Sequence, residues 1–475
     1  MDDSRGNKDV PSCPSCAALR GQGAALEAQV AVLQRQVHDL TARLEAAQRA
    51  SKRQAAPFSK GGPKPNPKPP GRKAGADHGV HAHRDVPDTP PDQVLDVPLP
   101  PRCPHCHGPT RPDGLTRQHQ IEIPRRPIHR RFDIHVGHCL ACGRRVQGRH
   151  ELQTSDALGA AASQLGPDAQ AAVVHLNKTC GLSHGKIADL FDQLFGIDLS
   201  RSGACRIMLR AGHRCRPTYD AIAAAVPTQE ALTADETGWR IAARLAWLHA
   251  FVGLDLTCYV IDPRRGFDVA RRILGEHFAG FFSHDGWRPY DRFFDAFHQT
   301  CLAHLLTRCR NMLEVASTAA ARFPLAIKGL LQQALSLRDR YRAQEVSLRG
   351  LAIARGRLEH RLDELLEPAR TNPANDRLAG HLLTHRRQVF TFLGAPWIDL
   401  PGAEATNWRG EQALRPAVVN RKVWGGNRTE PGARAQETLM SVLRTWRQRG
   451  QRTIELLHRV LCHPQPAVWL MPAGP

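Results

Sequence analysis

The sequence lacks any run of the ~18 continuous apolar residues needed to span a bilayer, and its N-terminus, MDDSRGNKDV, has no apolar core of the signal-peptide kind. Those two absences predict a soluble cytoplasmic protein with no membrane among its partners. Acid is also scarce, with 45 Asp plus Glu against 65 Lys plus Arg. A deficit of that size argues for a polyanionic partner, nucleic acid first, and says nothing about fold. Between Lys52 and Lys73 there is no acid at all, only a Pro-, Gly- and Lys-rich stretch, KRQAAPFSKGGPKPNPKPPGRK. Such a segment cannot bury enough apolar area to offset chain entropy, so residues 51–85 read as a basic linker, either a plain tether or an arm that neutralises phosphates. The thirteen Cys are odd in number and six fall in CxxC pairs, which in a cytosolic chain suggests metal ligands and free thiols more than disulfides.

What is present divides a 475-residue chain into about three domains with attachments. Leu19, Leu26, Leu33 and Leu40 recur every seven residues, with Val30, Val37 and Leu44 at the other apolar heptad position. This predicts a coiled coil over 17–48 and a parallel homodimer, the alternative being one amphipathic helix docked on its own domain. Cys13 and Cys16 form a CxxC with no second pair close by, and read as surface thiols, the alternative being a metal shared between two chains. Within 95–150, by contrast, Cys103–Cys106 and Cys139–Cys142 make two knuckles, the pattern of a structural Zn²⁺ closed by four thiolates. The alternating segment between them is expected to be a hairpin. Residues 155–226 read as helical, with a Gly196-centred turn and Ser200 as N-cap of a helix bearing Arg201 and Arg206. That is either a helix-turn-helix that reads DNA or an ordinary helical hairpin.

The stretch ALTADETGWR organises the rest. A β-compatible run, Leu232 to Ala234, delivers Asp235, and a β-β-β-α-β order follows to Asp285 at the end of FAGFFSHD. Strand alternation puts Asp235 and Glu236 on opposite faces, and Asp235 is the one expected to meet Asp285. Cys301 and His304 fall one helical turn apart and read as a buried thiol beside a helix-face histidine, the alternative being a pair of metal ligands. A Leu- and Arg-rich helical hairpin over about 315–395 then precedes Glu411, which opens a helix carrying Arg415, Arg421 and Lys422. Three carboxylates from separate elements suit two Mg²⁺ or Mn²⁺ ions, because hard cations take oxygen ligands. Residues 451–475 read as a tail beyond a 228–450 core.

These motifs in this order resemble a transposase of the insertion-sequence-66 family, DDE-type enzymes of bacterial mobile elements. The likeness is carried by APFSKG and PPGRKAG, the two knuckles, ADETGWR, HDGWRPY with HQTCLAHLLTR, and EQALRP with RKVWGGNR. One departure precedes the last acid: the family has a second Asn and then a small residue such as Ala, where this chain reads Thr406-Asn407-Trp408-Arg409-Gly410-Glu411. The resemblance implies a ribonuclease-H-like α/β core with a helical insertion and Asp235, Asp285 and Glu411 as catalytic metal-binding acids; some elements of the family also need companion proteins, which makes accessory proteins of the element candidate partners.

The whole is then multidomain α+β: coiled coil, zinc-ribbon-like module, helix-turn-helix-like segment and catalytic core. The function expected is metal-dependent cleavage and strand transfer at DNA ends, at the bacterial nucleoid. A non-catalytic zinc-containing DNA-binding regulator and a metal-dependent nuclease without strand transfer are the alternatives.

Overall fold

A computed structural model describes residues 26, 29–34, 36, 37, 40, 86–121, 123, 126–161 and 163–470. Leu19, Leu44, the 51–85 linker, Cys13 and Cys16 lie outside the described residues. The chain divides into two units, residues 1–122 and 123–475. In the first, the described positions between 26 and 40 are helical, and Leu26, Val30, Leu33, Val37 and Leu40 are all exposed. The same unit holds the Cys103–Cys106 knuckle, closed by the Cys103 amide on the Gly108 carbonyl at 2.8 Å and the His107 amide on the Cys103 carbonyl at 2.9 Å.

In the second unit the first hairpin corrects the sequence expectation. Strands β1 (Val136–His138) and β2 (Arg145–Gln147) pair antiparallel across the Cys139–Cys142 knuckle. The pairing is not between the two knuckles. The knuckle is itself the turn: the Cys139 amide donates to the Arg144 carbonyl at 2.8 Å and the Gly143 amide to the Cys139 carbonyl at 2.8 Å.

Three helices follow, α1 (Pro167–Lys178), α2 (His184–Phe195) and α3 (Arg201–Ala225). Gly196 ends α2 with φ of 62°, and the Ser200 side chain caps α3 by accepting from the Gly203 amide, which is the turn the sequence pattern anticipates. At 25 residues, α3 is long, and its buried Ala204, Ile207, Met208 and Ala211 share one hydrophobic cluster with the sheet. Arg201 and Arg206 stay exposed.

The sheet has five strands: β3 (Ala231–Ile241), β4 (Arg244–Val252), β5 (Thr257–Asp262), β6 (Phe281–His284) and β7 (Phe297–Thr300), in spatial order β5-β4-β3-β6-β7. The first three are antiparallel neighbours, and β6 and β7 add in parallel after the crossover helix α4 (Phe267–Leu274). Residues in β5 sort by the two-residue period of a strand. Cys258 and Val260 face the cluster with α3, whereas Tyr259 and Ile261 face the opposite cluster.

That opposite face is covered by α9 (Trp408–Trp424), through Ala413, Leu414 and Ala417. Before it comes the insertion, which is larger than a hairpin. Helix α5 (Leu302–Leu313) leads into α6 (Thr318–Arg342), α7 (Leu348–Leu366) and α8 (Pro373–Thr384), around a Leu-rich core of their own. After α9, α10 (Glu430–Gln448) lies along β5, with the Ser441 hydroxyl accepting from the Tyr259 amide at 2.8 Å. The C-terminal segment is packed helix, not tail: α11 (Thr453–Cys462) buries Leu456, Leu457, Val460 and Leu461 in the α3 cluster.

Candidate active site

Parallel pairing sets the first two acids side by side. Thr233 of β3 is registered with Ser283 of β6, so Asp235 and Asp285, each two residues further on, project from the same face. β3 does not stop at Asp235 as the sequence suggested. It runs on to Ile241 because β4 pairs with it residue by residue, and Asp235 is therefore held mid-strand, opposite Ala250. Helix α9 brings the third acid, Glu411, in its first turn.

The close approach of α9 depends on Gly410. A Cβ there would stand 2.9 Å from the Asp235 Cβ and 3.2 Å from the Thr233 methyl, closer than such atoms pack. Glycine at 410 is thus what this packing requires, whereas Trp408, the other departure, is exposed and nothing in the structure explains it. The start of α9 is also tied to α5, since the Asn407 amide donates to the Cys301 sulfur at 3.3 Å. Burial pushes the Cys301 thiol up to about 11, so at neutral pH it is a packed, protonated thiol. His304 brings Nε2 to 3.6 Å from Glu411 Oε1.

The electrostatics of Asp235 agree with this arrangement. Burial raises the Asp235 carboxyl well above the ordinary range, and the charges of Glu236, Asp285 and Glu411 raise it further against one opposing hydrogen bond from the Glu236 amide. Among the described residues no Lys or Arg pairs with Asp235, Asp285 or Glu411. Oxygen donors that repel one another and have no resident cation suit a hard divalent ion, which is the chemistry Mg²⁺ and Mn²⁺ require.

Glu236 is built differently. Its buried carboxylate accepts from Arg265 Nε and Nη2, at 3.1 and 2.7 Å, and from the Tyr290 hydroxyl at 2.9 Å. The Arg265 guanidinium lies 4.5 Å over Trp247 and 4.9 Å over Trp287, so the pair is clamped between aromatic rings. Sequence reasoning did not find Arg265, which the pattern shows only as one of two Arg after a Pro.

A second group that the sequence left unread holds the turn carrying Asp285. Gly286, with φ of 87°, is the residue that lets the chain reverse there. Its amide donates to His284 Nδ1 at 3.1 Å. His298 Nε2 faces the Phe293 carbonyl at 2.8 Å and must therefore carry the proton, leaving His298 Nδ1 as an acceptor for His284 Nε2–H at 3.0 Å. Every donor has an acceptor when both rings are neutral, and burial depresses both of them. The donor atoms of His284, Asp291 and His298 lie within 4.8 Å of one another, which invites a metal reading. That reading fails on the tautomer: a metal at His284 Nε2 would move the proton to Nδ1, against the Gly286 amide.

The DDE transposase model described as the Transposase IS66 family matches residues 162–435, more than half of the 475-residue chain. The chain belongs to this family. All three acids fall inside the matched span of this IS66-family chain, as do the sheet, the insertion and α9. The knuckles at Cys103–Cys106 and Cys139–Cys142 fall before it. Among curated proteins, no relative matches the chain.

Of the basic residues singled out from sequence, Arg421 is half-buried and donates to the Gly238 carbonyl, fastening α9 to β3. Arg415 and Lys422 are exposed on the same helix.

Proposed function

We propose that this chain cuts DNA at the ends of a mobile element and joins those ends to a target, with Asp235, Asp285 and Glu411 holding the divalent ions. The observation that carries this reading is three carboxylates from β3, the β6 turn and α9, whose charges raise Asp235 and which pair with no Lys or Arg among the described residues. The order β5-β4-β3-β6-β7, with the first three strands antiparallel, supports a ribonuclease-H-like core. Mg²⁺ or Mn²⁺, when bound, supplies the positive charge that a phosphodiester needs as its phosphorus is attacked. The chain's own part is positioning. Gly410 and the Cys301–Asn407 contact set Glu411 against Asp235, and the His298–His284 pair fixes the Asp285 turn.

In the cutting step, water adds to the phosphorus and the bond to the 3′ oxygen breaks, that oxygen leaving as a 3′-hydroxyl. In the joining step, the 3′ oxygen adds to a target phosphorus and displaces the target's own 3′ oxygen. Exposed Arg201, Arg206, Arg415 and Lys422 are proposed to hold backbone phosphates.

Zinc on Cys103, Cys106, Cys139 and Cys142 is proposed on the spacing and on each knuckle's own turn. The Cys103 and Cys139 thiols are both lowered, each chiefly by backbone amides of its own knuckle, as a thiolate ligand requires. Dimerisation through 17–48 is proposed because Leu26, Val30, Leu33, Val37 and Leu40 are exposed on a helix. The deciding experiment offers the full chain, with Mg²⁺, labelled duplexes from the boundary of the DNA element that encodes it. Nicked and joined products support the reading. Nicking alone favours a nuclease, and binding without either favours a DNA-binding regulator.

A further inference from the structure

Beside Asp285 lies a cavity of about 480 Å³, lined in part by Asp285, His304, Thr307, Arg308, Asn311 and His381. It runs from the acids along α5 toward α8 of the insertion. Arg308 is half-buried there and, among the described residues, makes no ion pair and no side-chain hydrogen bond. Besides burial, the groups acting on it are the adjacent Cys309 thiol, itself pushed up to about 11 by burial, and a second cation, Arg377, which likewise has no ion pair among the described residues. Arg377 and His381 are one turn apart on α8, so α5 and α8 present their basic side chains toward one place.

A guanidinium stays charged, and taking it partly out of water beside a second guanidinium costs stability unless an anion compensates. Among the described residues no carboxylate pairs with either guanidinium. We infer that Arg308 and Arg377 bind a DNA phosphate adjacent to the one being cut, so that the insertion is a backbone clamp continuous with the acids. This rests on the transposase reading of the acids. The planar, five-donor guanidinium of Arg308 suits phosphate oxygens, and Thr307 and Asn311 add neutral hydrogen-bonding groups along the same wall.

The test is a phosphate walk. A duplex from the boundary of the encoding element carries one uncharged methylphosphonate, stepped through the positions flanking the cut. It is offered to the full-length wild type, Arg308→Gln, Arg308→Lys and Arg377→Gln, with binding read in Ca²⁺ and cleavage in Mg²⁺. At one flanking position the wild type should lose about tenfold in binding, the size of a charge-assisted hydrogen bond. Arg308→Gln should lose about as much on normal DNA and nothing more from the substitution at that position, with Arg308→Lys between. Arg377→Gln, at an exposed position, carries the same expectation should Arg308→Gln fail to fold. Identical position profiles in wild type and both Gln variants would overturn the contact. So would an effect of abasic sites in place of methylphosphonates, which would give the cavity to a base. Coupling in binding without wild-type cleavage would support the contact and sink the transposase reading alone.

Discussion

Gly410 lies against Asp235 so closely that a Cβ on the helix would come within 2.9 Å of the Cβ on the strand. Helix α9 therefore reaches the sheet at the one residue of its first turn that has no side chain, and Glu411 arrives beside Asp235 as a consequence. Gly410→Ala should cost about 1–3 kcal/mol as overpacking and should depress cleavage more than DNA binding. Thermal melts and a cleavage assay check this, and a variant with wild-type values in both would show that the helix can back away freely.

Glu236→Gln should damage the fold more than the chemistry. The buried carboxylate would lose its charge against Arg265 while the amide retains part of the hydrogen bonding, for a loss of about 1–3 kcal/mol. Its Mg²⁺ requirement should stay near that of the wild type. A dead Glu236→Gln of undiminished stability, together with an active Asp235→Asn, would exchange the roles of the two neighbours.

The His298–His284 pair predicts a split between two substitutions. His298→Asn keeps a side-chain oxygen for His284 Nε2–H, whereas His298→Phe keeps volume and loses the acceptor. Half-saturation by Mg²⁺ should rise in the Phe variant and recover in the Asn variant, with DNA binding in Ca²⁺ unchanged in both. Equal Mg²⁺ titrations for the Phe variant and the wild type would remove the positioning role.

Acid should destabilise the protein through its buried imidazoles. His249 and His381 are pushed down to about 4, chiefly by burial, and His284 and His298 are lowered by the same cause. A group with a depressed folded value contributes its stability above the unfolded value and loses it as pH falls, here from about 6.5 toward 4. Melting temperatures measured from pH 8 to pH 4 should fall through that window, and a flat profile would contradict the burial of these rings.

Zinc analysis should find one ion per chain, released by Cys139→Ser with loss of the module's fold and no change in the acids. Metal-free wild type, or zinc retained by the variant, would dismiss the four-thiol assignment.

Much of this fold is legible in the sequence. The β-β-β-α-β order, the Gly196 turn, the Ser200 cap and the helix of Glu411 all follow from local patterns, which short-range physics governs. What escaped was what only packing decides. HQT before Cys301 forms β7 because β6 offers an open parallel edge, although its pattern continues smoothly into α5. The terminal segment is a helix because the α3 cluster takes its Leu side chains. Arg265, Arg308 and the His298 ring sit far in sequence from the acids they serve, and no spacing rule joins them.

In the proposed site Asp235, Asp285 and Glu411 share a charge burden that divalent ions relieve. Asp235→Asn, measured by thermal melting in EDTA and in Mg²⁺, tests it most directly. Because the folded carboxyl is raised, its ionised form costs stability at pH values above the unfolded value, and the amide removes that cost. The variant should melt higher than wild type in EDTA by about 2–4 °C, gain nothing from Mg²⁺ where the wild type gains, and cleave no DNA. A variant that melts lower in EDTA, or that still gains stability from Mg²⁺ and cuts like wild type, would contradict the account.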